Sequence, residues 1–598
     1  MEFMTKIMNM QKVKILALIA PLLGGVGGGL FTSCNDFLTI YPTDRIVGED
    51  FWKKKADVEQ MVDGAYSSIL SGSIQERAIM WGAFRSDELV KTPDYSSTDL
   101  DNVSAVNLLP TMGFCSWGSF YSVINRCNIV LRHAPEVMDV DPEFTYGDYT
   151  VVRAQMLALR SLCYFYLVRA FRDVPYVTES YEDDTQVDLV AQSTPGEVLQ
   201  NCLNDLEEAY NYIMKTGSYG TGDWRNWGYF TRDAVNALMA DIYLWRAAMT
   251  HDAADYQKVA TLADRIIAAK DEYYKANNKE AVSSTEENIY HLYSGSAAQY
   301  NIFVKGNSHE SILEWQYNGR NNSNTTLENY YYQSGKEDNH KSTGIVQASP
   351  IFNIAATNAN TSQGKKAFAT TKDYRYWNVV YDTNNEEANQ LEIRKMVDNG
   401  GGTISTSSTA GAPKYNSRAF KEFDQNWIVY RLTDVLLMKA EALLELSADN
   451  DRTAQEQAFN LVQAVNKRSM ATNSADTLKF GDFTTKASLE LLILAERERE
   501  LCFEGKRWFD LVRYCYRHMT GVNINQKLAD SDTWPALYSH MTEMLGRKSS
   551  EGGQSNAIAI KMKSEPYLYW PVQESEIKVN RLLKQNPVWI QEKSTAKN

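Results

Sequence analysis

The sequence predicts a mainly α-helical protein, a solenoid scaffold of paired helices interrupted by one long, loop-rich insertion. Segments with apolar residues at the i, i+3 and i+4 spacing of a helix recur over 50–270 and over 427–516. The stretch between them, 271–426, is rich in Asn, Ser, Thr, Gly and Tyr and shows no helical period. Its strand-like pieces are short, such as Ser-Ile-Leu-Glu-Trp at 311–315. A C-terminal segment over 517–598 completes the predicted chain.

Periodicity predicts the helices of the scaffold individually. They are expected over 57–69, 117–131, 151–174, 195–214, 231–245, 254–269, 427–446 and 458–468. Pro175 is expected to stop the third of these, because proline removes a backbone donor and clashes with the preceding turn. The small residues Ala440 and Ala442 allow close approach of a neighbouring helix. Such pairs are typical of tetratricopeptide-like hairpins, although their spacing gives no clean repeat period.

Composition excludes several classes of partner. The chain has 598 residues, 44% hydrophobic and 23% charged, as expected of a folded globular protein. The formal net charge is −14, and no long run of Lys or Arg follows the N-terminus, which argues against a nucleic acid or an anionic membrane surface. Aromatic residues make up 12%, and such rings serve both cores and recognition surfaces.

The cysteines and histidines predict neither a disulfide framework nor a metal site. No CxxC pair occurs, and no two of the seven histidines are four residues apart. Six cysteines are interpreted as core thiols: Cys115, Cys127, Cys163, Cys202, Cys502 and Cys515. The sequence contains no P-loop, GxGxxG, HExxH or GxSxG motif, so no cofactor is expected.

Residues 1–33 predict a signal peptide. Lys6, Lys12 and Lys14 precede an apolar segment over 15–30, which is shorter than a membrane span and broken by proline and glycines. Thr-Ser then precedes Cys34. This ending resembles a bacterial lipobox, in which the cysteine thiol is diacylated and becomes the mature N-terminus.

The segment 489–515 predicts two helices that meet at a charged corner. Glu496 and Glu500 share one helical face with an apolar stripe, and carboxylates are rarely placed there unless they are paired. The expected partners are nearby arginines, and Gly505 is expected to end the first helix. The corner also contains Arg497, Arg499, Arg507, Asp510 and Arg513. A buried structural network is favoured over an acid/base pair, because arginines keep carboxylates ionised.

The corner resembles the C-terminal signature of the SusD/RagB family. The resemblance rests on Glu-Arg at 496–497, Glu500, Phe-Glu-Gly-Lys-Arg at 503–507 and Asp-Leu-Val-Arg at 510–513. The beginning and end of the predicted mature chain also resemble the family. These are Cys-Asn-Asp-Phe-Leu at 34–38 and Gln-Asn-Pro at 585–587.

The resemblance implies a glycan-binding lipoprotein over 34–598, attached to the outer membrane at the cell surface through lipid on Cys34. It implies capture of oligosaccharide or polysaccharide and delivery, as a lid, to a SusC-like TonB-dependent transporter. No enzymatic activity is implied. Two alternatives remain open. One is a RagB-like protein that binds peptides; the other is a surface glycoside hydrolase, which needs two carboxylates roughly 5–10 Å apart.

Candidate ligand contacts follow from the resemblance and from the aromatic content of the insertion. Trp81 and Tyr95 are expected to stack on sugar rings, and Arg85 and Asp87 to hydrogen-bond sugar hydroxyls. The insertion adds Tyr293, Tyr300, Tyr317, Tyr330 and Tyr331. For each of these five tyrosines, packing of the insertion onto the helices is an equally good interpretation.

Overall fold

Helices dominate the computed structural model of the chain. It describes residues 51–182, 189–277, 288–319, 321–332, 344–352, 366–370, 372–382, 391–397, 423–471, 476–548 and 558–590. The predicted signal peptide and Cys34 therefore lie outside the described residues, as do parts of the predicted insertion. Residues Trp52–Asn598 form one compact unit.

The helices before the insertion have these bounds: α1 Lys55–Ile69, α2 Gly72–Ile79, α3 Thr98–Ser104, α4 Gly118–Val140, α5 Tyr146–Phe171, α6 Pro195–Tyr212, α7 Arg225–Gly228, α8 Arg232–Thr250 and α9 Ala253–Asn277. Those that follow are α10 Gly295–Gln299, α11 Thr325–Tyr331, α12 Tyr374–Val379, α13 Leu432–Leu446, α14 Arg452–Ser469, α15 Lys486–Leu501, α16 Arg507–Arg517, α17 His540–Gly546 and α18 Glu574–Val579.

The long helices pack in succession, as the predicted solenoid requires. Helix α4 packs against α5, α5 against α6, α6 against α8, and α8 against α9. Helix α13 then packs against both α9 and α14. The six cysteines predicted to be core thiols are all buried. The predicted class, a mainly α-helical solenoid, is therefore confirmed.

Helix α5 forms the centre of this succession. A capping box between Thr145 and Asp148 starts it, and almost every residue from Ala154 to Phe171 is buried. It is long and apolar enough to cross a membrane, but 83% of its most apolar window is buried inside the protein. The helix ends at Phe171 rather than at Pro175, because Arg172 adopts a φ of +66°. The Arg172 guanidinium donates to Glu565 at 2.8 Å, which fixes this exit.

The strands are short and form two-stranded antiparallel pairs. Strand β1 (Leu89–Lys91) pairs with β5 (Val346–Ala348), and β2 (Val174–Pro175) with β3 (Gln192–Ser193). Strand β4 (Ser311–Trp315) pairs with β8 (Trp427–Arg431), and β6 (Val380–Asp382) with β7 (Leu391–Ile393).

Strand β8 corrects one helix prediction. The sequence pattern predicts a single helix over 427–446, but Trp427–Arg431 is extended and only Leu432–Leu446 is helical. Trp-Ile-Val-Tyr-Arg is rich in β-branched and aromatic residues, which fit a pleated surface. Strand β4 supplies a buried partner, with Trp315 opposite Trp427. The strand-like segment predicted at 311–315 is confirmed.

The turn between α15 and α16 crosses the segment after α2 at very close range. Helix α15 ends at Leu501, earlier than the predicted stop at Gly505. Gly505 has a φ of +71°, and a Cβ on Gly82 would lie 1.8 Å from the Gly505 carbonyl oxygen. A side chain at position 82 would therefore separate the two backbones. Glycine at 82 and a left-handed glycine at 505 together permit the crossing.

Glu500 is the most heavily paired carboxylate of the predicted corner. It is 2% exposed and accepts from Arg431 at 2.6 Å, from Arg375 at 3.0 Å and from Arg468. Although burial alone would raise its pKa, these three arginines hold the pKa of Glu500 well below its ordinary value. The predicted buried ionic corner is confirmed, but its arginines come from three segments distant in sequence.

The two arginines expected beside the glutamates have different roles. Arg499 pairs with Glu496 at 2.7 Å, as expected. Arg497 faces the other side of α15 and pairs with Asp434 and Asp510, each at 2.9 Å. Residues adjacent on a helix point in different directions, so the two arginines join α15 to different neighbours.

Replacing Glu500 with Gln should destabilise the fold. The substitution keeps the shape but leaves three buried arginines short of a counter-charge, so we expect a loss of about 3–5 kcal/mol in the free energy of unfolding. Urea denaturation measures it. Glu574→Gln, which removes one partner of an exposed pair with Lys578, should cost less than ~1 kcal/mol. Equal effects of the two variants would contradict the assignment.

The ionic corner should also make stability depend on acid pH. Burial would raise the pKa of Glu441, but Arg513 and Arg517 lower it from 4.5 to about 2. A lowered carboxyl pKa stabilises the fold above pH 4.5, and this contribution is lost as pH falls to about 2. The free energy of unfolding, measured by denaturation between pH 7 and 2, should fall in that window, with Glu441 contributing on the order of 3 kcal/mol. A constant value across the window would contradict this.

Candidate functional site

A partly exposed polar and aromatic surface forms where the end of α2, the turn after β1 and helix α11 come together. We call it the Tyr95 surface, and it comprises Glu76, Arg77, Tyr95, Phe114 and Tyr330. Tyr95, Glu76 and Phe114 are each partly exposed. Arg77 and Tyr330 are largely buried, at 7% and 6% exposure. The surface thus combines aromatic rings with charged hydrogen-bonding groups.

Backbone pairing places Tyr95 beside α11. After β1, the amide of Thr92 donates to the Ile345 carbonyl at 3.1 Å, and the amide of Ile345 donates to the Asn329 carbonyl of α11 at 3.0 Å. The Tyr95 amide closes a turn onto the Thr92 carbonyl at 3.0 Å. This turn leads into α3, whose N-cap Ser97 accepts from the Leu100 amide. The chain on both sides of Tyr95 is therefore held by hydrogen bonds.

Glu76 is the polar centre of the surface. It accepts from the Tyr330 hydroxyl at 2.5 Å and from Arg77. Burial, followed by the neighbouring Glu76 carboxylate, raises the pKa of Tyr330, so its phenol remains a donor. Arg77 also donates to the Gly113 carbonyl at 2.7 Å and lies 5.9 Å from the Phe114 ring centroid. These contacts orient Glu76 as an acceptor at the protein surface.

The structure places Trp81 in the core. Its ring is 0% exposed, stacks on Phe120 at 5.2 Å and meets the edge of Phe171 at 5.3 Å. The indole nitrogen donates to the Phe114 carbonyl at 2.9 Å. These contacts correct the expectation that Trp81 stacks on a ligand, because none of its surface is exposed. Its contribution to the site is indirect, since it supports the backbone of Phe114.

Arg85 and Asp87 are also buried, at 5% and 0% exposure. The Arg85 guanidinium lies 4.2 Å from the Trp508 ring centroid and donates to the Leu568 carbonyl at 2.7 Å. Asp87 accepts from Arg507 at 2.8 Å and from Arg547 at 3.1 Å. Both side chains already hydrogen-bond within the protein and are shielded from solvent. The expectation that Arg85 and Asp87 hydrogen-bond sugar hydroxyls is therefore wrong.

The tyrosines of the insertion divide into buried and exposed groups. Tyr331 is 0% exposed and donates to the Phe503 carbonyl at 3.0 Å; Tyr317 is 8% exposed and donates to Gln75 at 3.2 Å. Tyr330 is 6% exposed, and its hydroxyl donates to Glu76 of the Tyr95 surface. Tyr300 is 48% exposed, directly after α10. Tyr293 is partly exposed, with its ring 4.1 Å from that of His309.

Three members of the surface, Glu76, Arg77 and Phe114, are not predicted by the sequence patterns. Glu76 and Arg77 belong to α2, which begins at Gly72, between the helix predicted over 57–69 and Trp81. A charged pair at the end of a short helix is common, so it gave no distinctive signal. Phe114 lies in a single helical turn, Gly113–Cys115, where no periodicity can develop. Only the fold brings these residues to Tyr95.

Two family models match the chain, one in each half. A model described as the SusD family matches residues 292–589. A second model, described as starch-binding and associating with the outer membrane, matches residues 37–244. The two matches lie on either side of 245–291 and include the ionic corner and the Tyr95 surface.

Relatives and solved structures agree with these matches. The SusD-like protein P38 of Formosa agariphila is 25% identical over 563 residues, covering 89% of this chain and 98% of the relative. The SusD-like protein P2 of the same organism is 23% identical, covering 85% and 91%. A SusD superfamily protein from Bacteroides thetaiotaomicron superposes with a TM-score of 0.60 at 21% identity, covering 90% and 99%. The chain belongs to the SusD family.

Proposed function

We propose that this protein is a cell-surface glycan-binding lipoprotein that captures oligosaccharides or polysaccharide and delivers them to a SusC-like TonB-dependent transporter. The observation that carries the proposal is the Tyr95 surface, which lies within the two matched family regions. The family model over 37–244 is described as starch-binding, and this description favours a glycan as the ligand.

The chemistry of the Tyr95 surface suits a sugar. The rings of Tyr95 and Phe114 can pack against the C–H groups of a sugar ring. Glu76 can accept hydrogen bonds from sugar hydroxyls, and charge-assisted hydrogen bonds are the stronger kind. Because Arg77 and Tyr330 already orient Glu76, little conformational freedom is lost on binding. These groups bind and orient a ligand, and we propose no catalytic step.

The proposed location depends on Cys34. Lipid on its thiol would tether the protein to the outer membrane, while residues from Trp52 onward, which form one compact unit, would bind the glycan. The description of the family model over 37–244 as associating with the outer membrane supports this location. The transporter would supply the energy of uptake, and this protein would act as its lid.

A binding survey tests the proposal directly. Soluble protein beginning at Asn35 is titrated by calorimetry against plant, host and microbial polysaccharides and against a peptide digest, with product release followed in parallel. Saturable glycan binding without cleavage is expected. Peptide binding in place of glycan binding would overturn the proposal in favour of a peptide-uptake protein. Cleavage of a glycan would overturn the non-enzymatic assignment.

Tyr95→Ala should weaken binding of the glycan found in that survey. Loss of one ring contact is expected to reduce affinity by about 0.5–1.5 kcal/mol, or roughly 2- to 10-fold. Because Tyr95 is partly exposed, the free energy of unfolding should change by less than about 1 kcal/mol. Calorimetry and urea denaturation measure the two effects. Unchanged affinity would remove Tyr95 from the site.

Tyr331→Ala provides the matched comparison for Tyr95→Ala. Tyr331 lies in the same helix as Tyr330, a member of the Tyr95 surface, but the Tyr331 side chain is fully buried. We expect a loss of about 3–5 kcal/mol in the free energy of unfolding, from the cavity and the lost hydrogen bond. A stable Tyr331→Ala protein with weakened glycan binding would contradict the core assignment of this side chain.

Cys34→Ser should abolish lipidation. The thiol is the proposed acylation site, and serine has no thiol to accept the lipid. Labelled fatty acid supplied to the expressing bacterium should enter the wild-type protein and not the variant, and the variant should be lost from the outer-membrane fraction. An unlabelled wild-type protein, or a labelled variant, would contradict the anchor.

A further inference from the structure

A second candidate binding site lies between helices α6, α8 and α9, in a cleft of about 560 Å³. This volume falls within the usual range for small-molecule sites. The loop between α6 and α7 forms one wall. We call it the α8 cleft, after the helix that contributes Arg232, Asp233 and Asn236. It shares no residue with the Tyr95 surface.

The loop wall is built in advance of any ligand. The buried side chain of Asn226 accepts from the Gly217 amide at 2.8 Å and donates to the Gly220 carbonyl at 2.8 Å. Gly217 has a φ of +87°, and a Cβ there would lie 3.1 Å from the Tyr273 ring. Asn226 and Gly217 therefore fix the conformation of the loop where it packs against Tyr273, which also lines the cleft.

Three cationic side chains line the cleft without a carboxylate partner. Within the described ranges, Lys215, Arg232 and Arg265 form no ion pair, in contrast to the paired arginines of the ionic corner. The guanidinium groups of Arg232 and Arg265 lie 5.7 and 5.9 Å from the Tyr210 ring centroid. Arg232 donates its Nε–H to the Ile213 carbonyl at 3.2 Å, which leaves its terminal N–H groups for other acceptors. In a chain of net charge −14, this grouping favours an anionic ligand.

Two carboxylates also line the cleft, and they limit its charge. Asp233 is buried, accepts from the Thr216 hydroxyl at 2.7 Å, and has its pKa raised by burial. Glu272 is exposed. With three cationic side chains and two carboxylates, the lining of the cleft has a net positive charge. The Asp233 carboxylate also has a hydrogen-bond donor within the protein, the Thr216 hydroxyl.

The floor of the cleft holds an acceptor that lacks a donor. Asn236 is 2% exposed, and its side-chain oxygen has no hydrogen-bond partner among the residues that the structure describes. An unsatisfied buried polar atom costs about 1–3 kcal/mol, so a hydroxyl donor brought by a ligand would relieve a real cost. Anionic groups alone cannot do this, because they only accept. The ligand that fits carries both an anion and hydroxyl donors.

We propose that the α8 cleft binds an acidic saccharide unit, with its carboxylate or sulfate on Arg232 and Arg265 and a hydroxyl donating to Asn236. Planar guanidinium groups suit both anions, because they can donate two parallel hydrogen bonds. The rings of Tyr210 and Tyr273 supply faces for the C–H groups of the sugar. This site is independent of the Tyr95 surface, so either proposal can fail while the other stands.

Matched probes test the proposal on soluble protein beginning at Asn35. Calorimetry compares an oligouronate, the same oligosaccharide with its carboxyl groups reduced to alcohols, a sulfated oligosaccharide and inorganic sulfate. At least one acidic oligosaccharide should bind at least roughly ten-fold more tightly than the neutral one, since hydrogen bonds to charged groups are the stronger ones. The uronate and sulfate probes identify the anion. Equal affinity for the acidic and neutral oligosaccharides, or inorganic sulfate binding as tightly as either, would overturn the proposal.

Three variants locate the binding. Arg232→Gln and Arg265→Gln should each weaken the acidic oligosaccharide roughly ten-fold, and Asn236→Leu should weaken it without removing a charge. Arg581→Gln is the matched control, because Arg581 is exposed and does not line the cleft. Thermal unfolding confirms that each variant is folded. Wild-type affinity in both arginine variants would overturn the site.

Discussion

The structure depends on a carboxylate, Glu500, that is buried among three arginines. Removing an ionised carboxylate from water costs several kcal/mol, and the fold meets this cost only when all the partners are in place. Arg431 comes from the strand before α13, Arg468 from the end of α14, and Arg375 from α12 in the insertion. A single side chain thus fixes the relative positions of the scaffold helices and the insertion. Because each arginine also needs its carboxylate, the corner assembles cooperatively.

The same corner positions the Tyr95 surface. Asp87 lies between α2 and β1, and its carboxylate is held by Arg507 at the start of α16. Glu76 precedes this anchor and Tyr95 follows it. The close crossing of Gly82 and Gly505 brings the same two segments together through their backbones. The residues proposed to contact a ligand therefore lie in loops and at helix ends that a buried ionic network holds in place. A preformed binding surface requires such anchoring.

Local patterns account for what the sequence could predict. Helical periodicity is a local property, so the helices of the scaffold, the burial of Glu496 and Glu500 and the strand at 311–315 could be recognised. Partners distant in sequence could not. Strand β8 depends on pairing with a segment more than one hundred residues earlier, and the arginines around Glu500 come from three separate elements. Burial of the aromatic residues could not be predicted either. Composition does not distinguish Trp81, which packs against Phe120 and Phe171 in the core, from the partly exposed Tyr95.

A crystal structure with bound glycan would show whether the Tyr95 surface is the binding site. Crystals of the protein beginning at Asn35 would be soaked with an oligosaccharide derived from the glycan that binds most tightly in solution. We expect a sugar ring packed on Tyr95, with hydroxyls within hydrogen-bonding distance of Glu76, and no displacement of Asp87 from Arg507. A glycan bound elsewhere, with the Tyr95 surface empty, would contradict the proposed site.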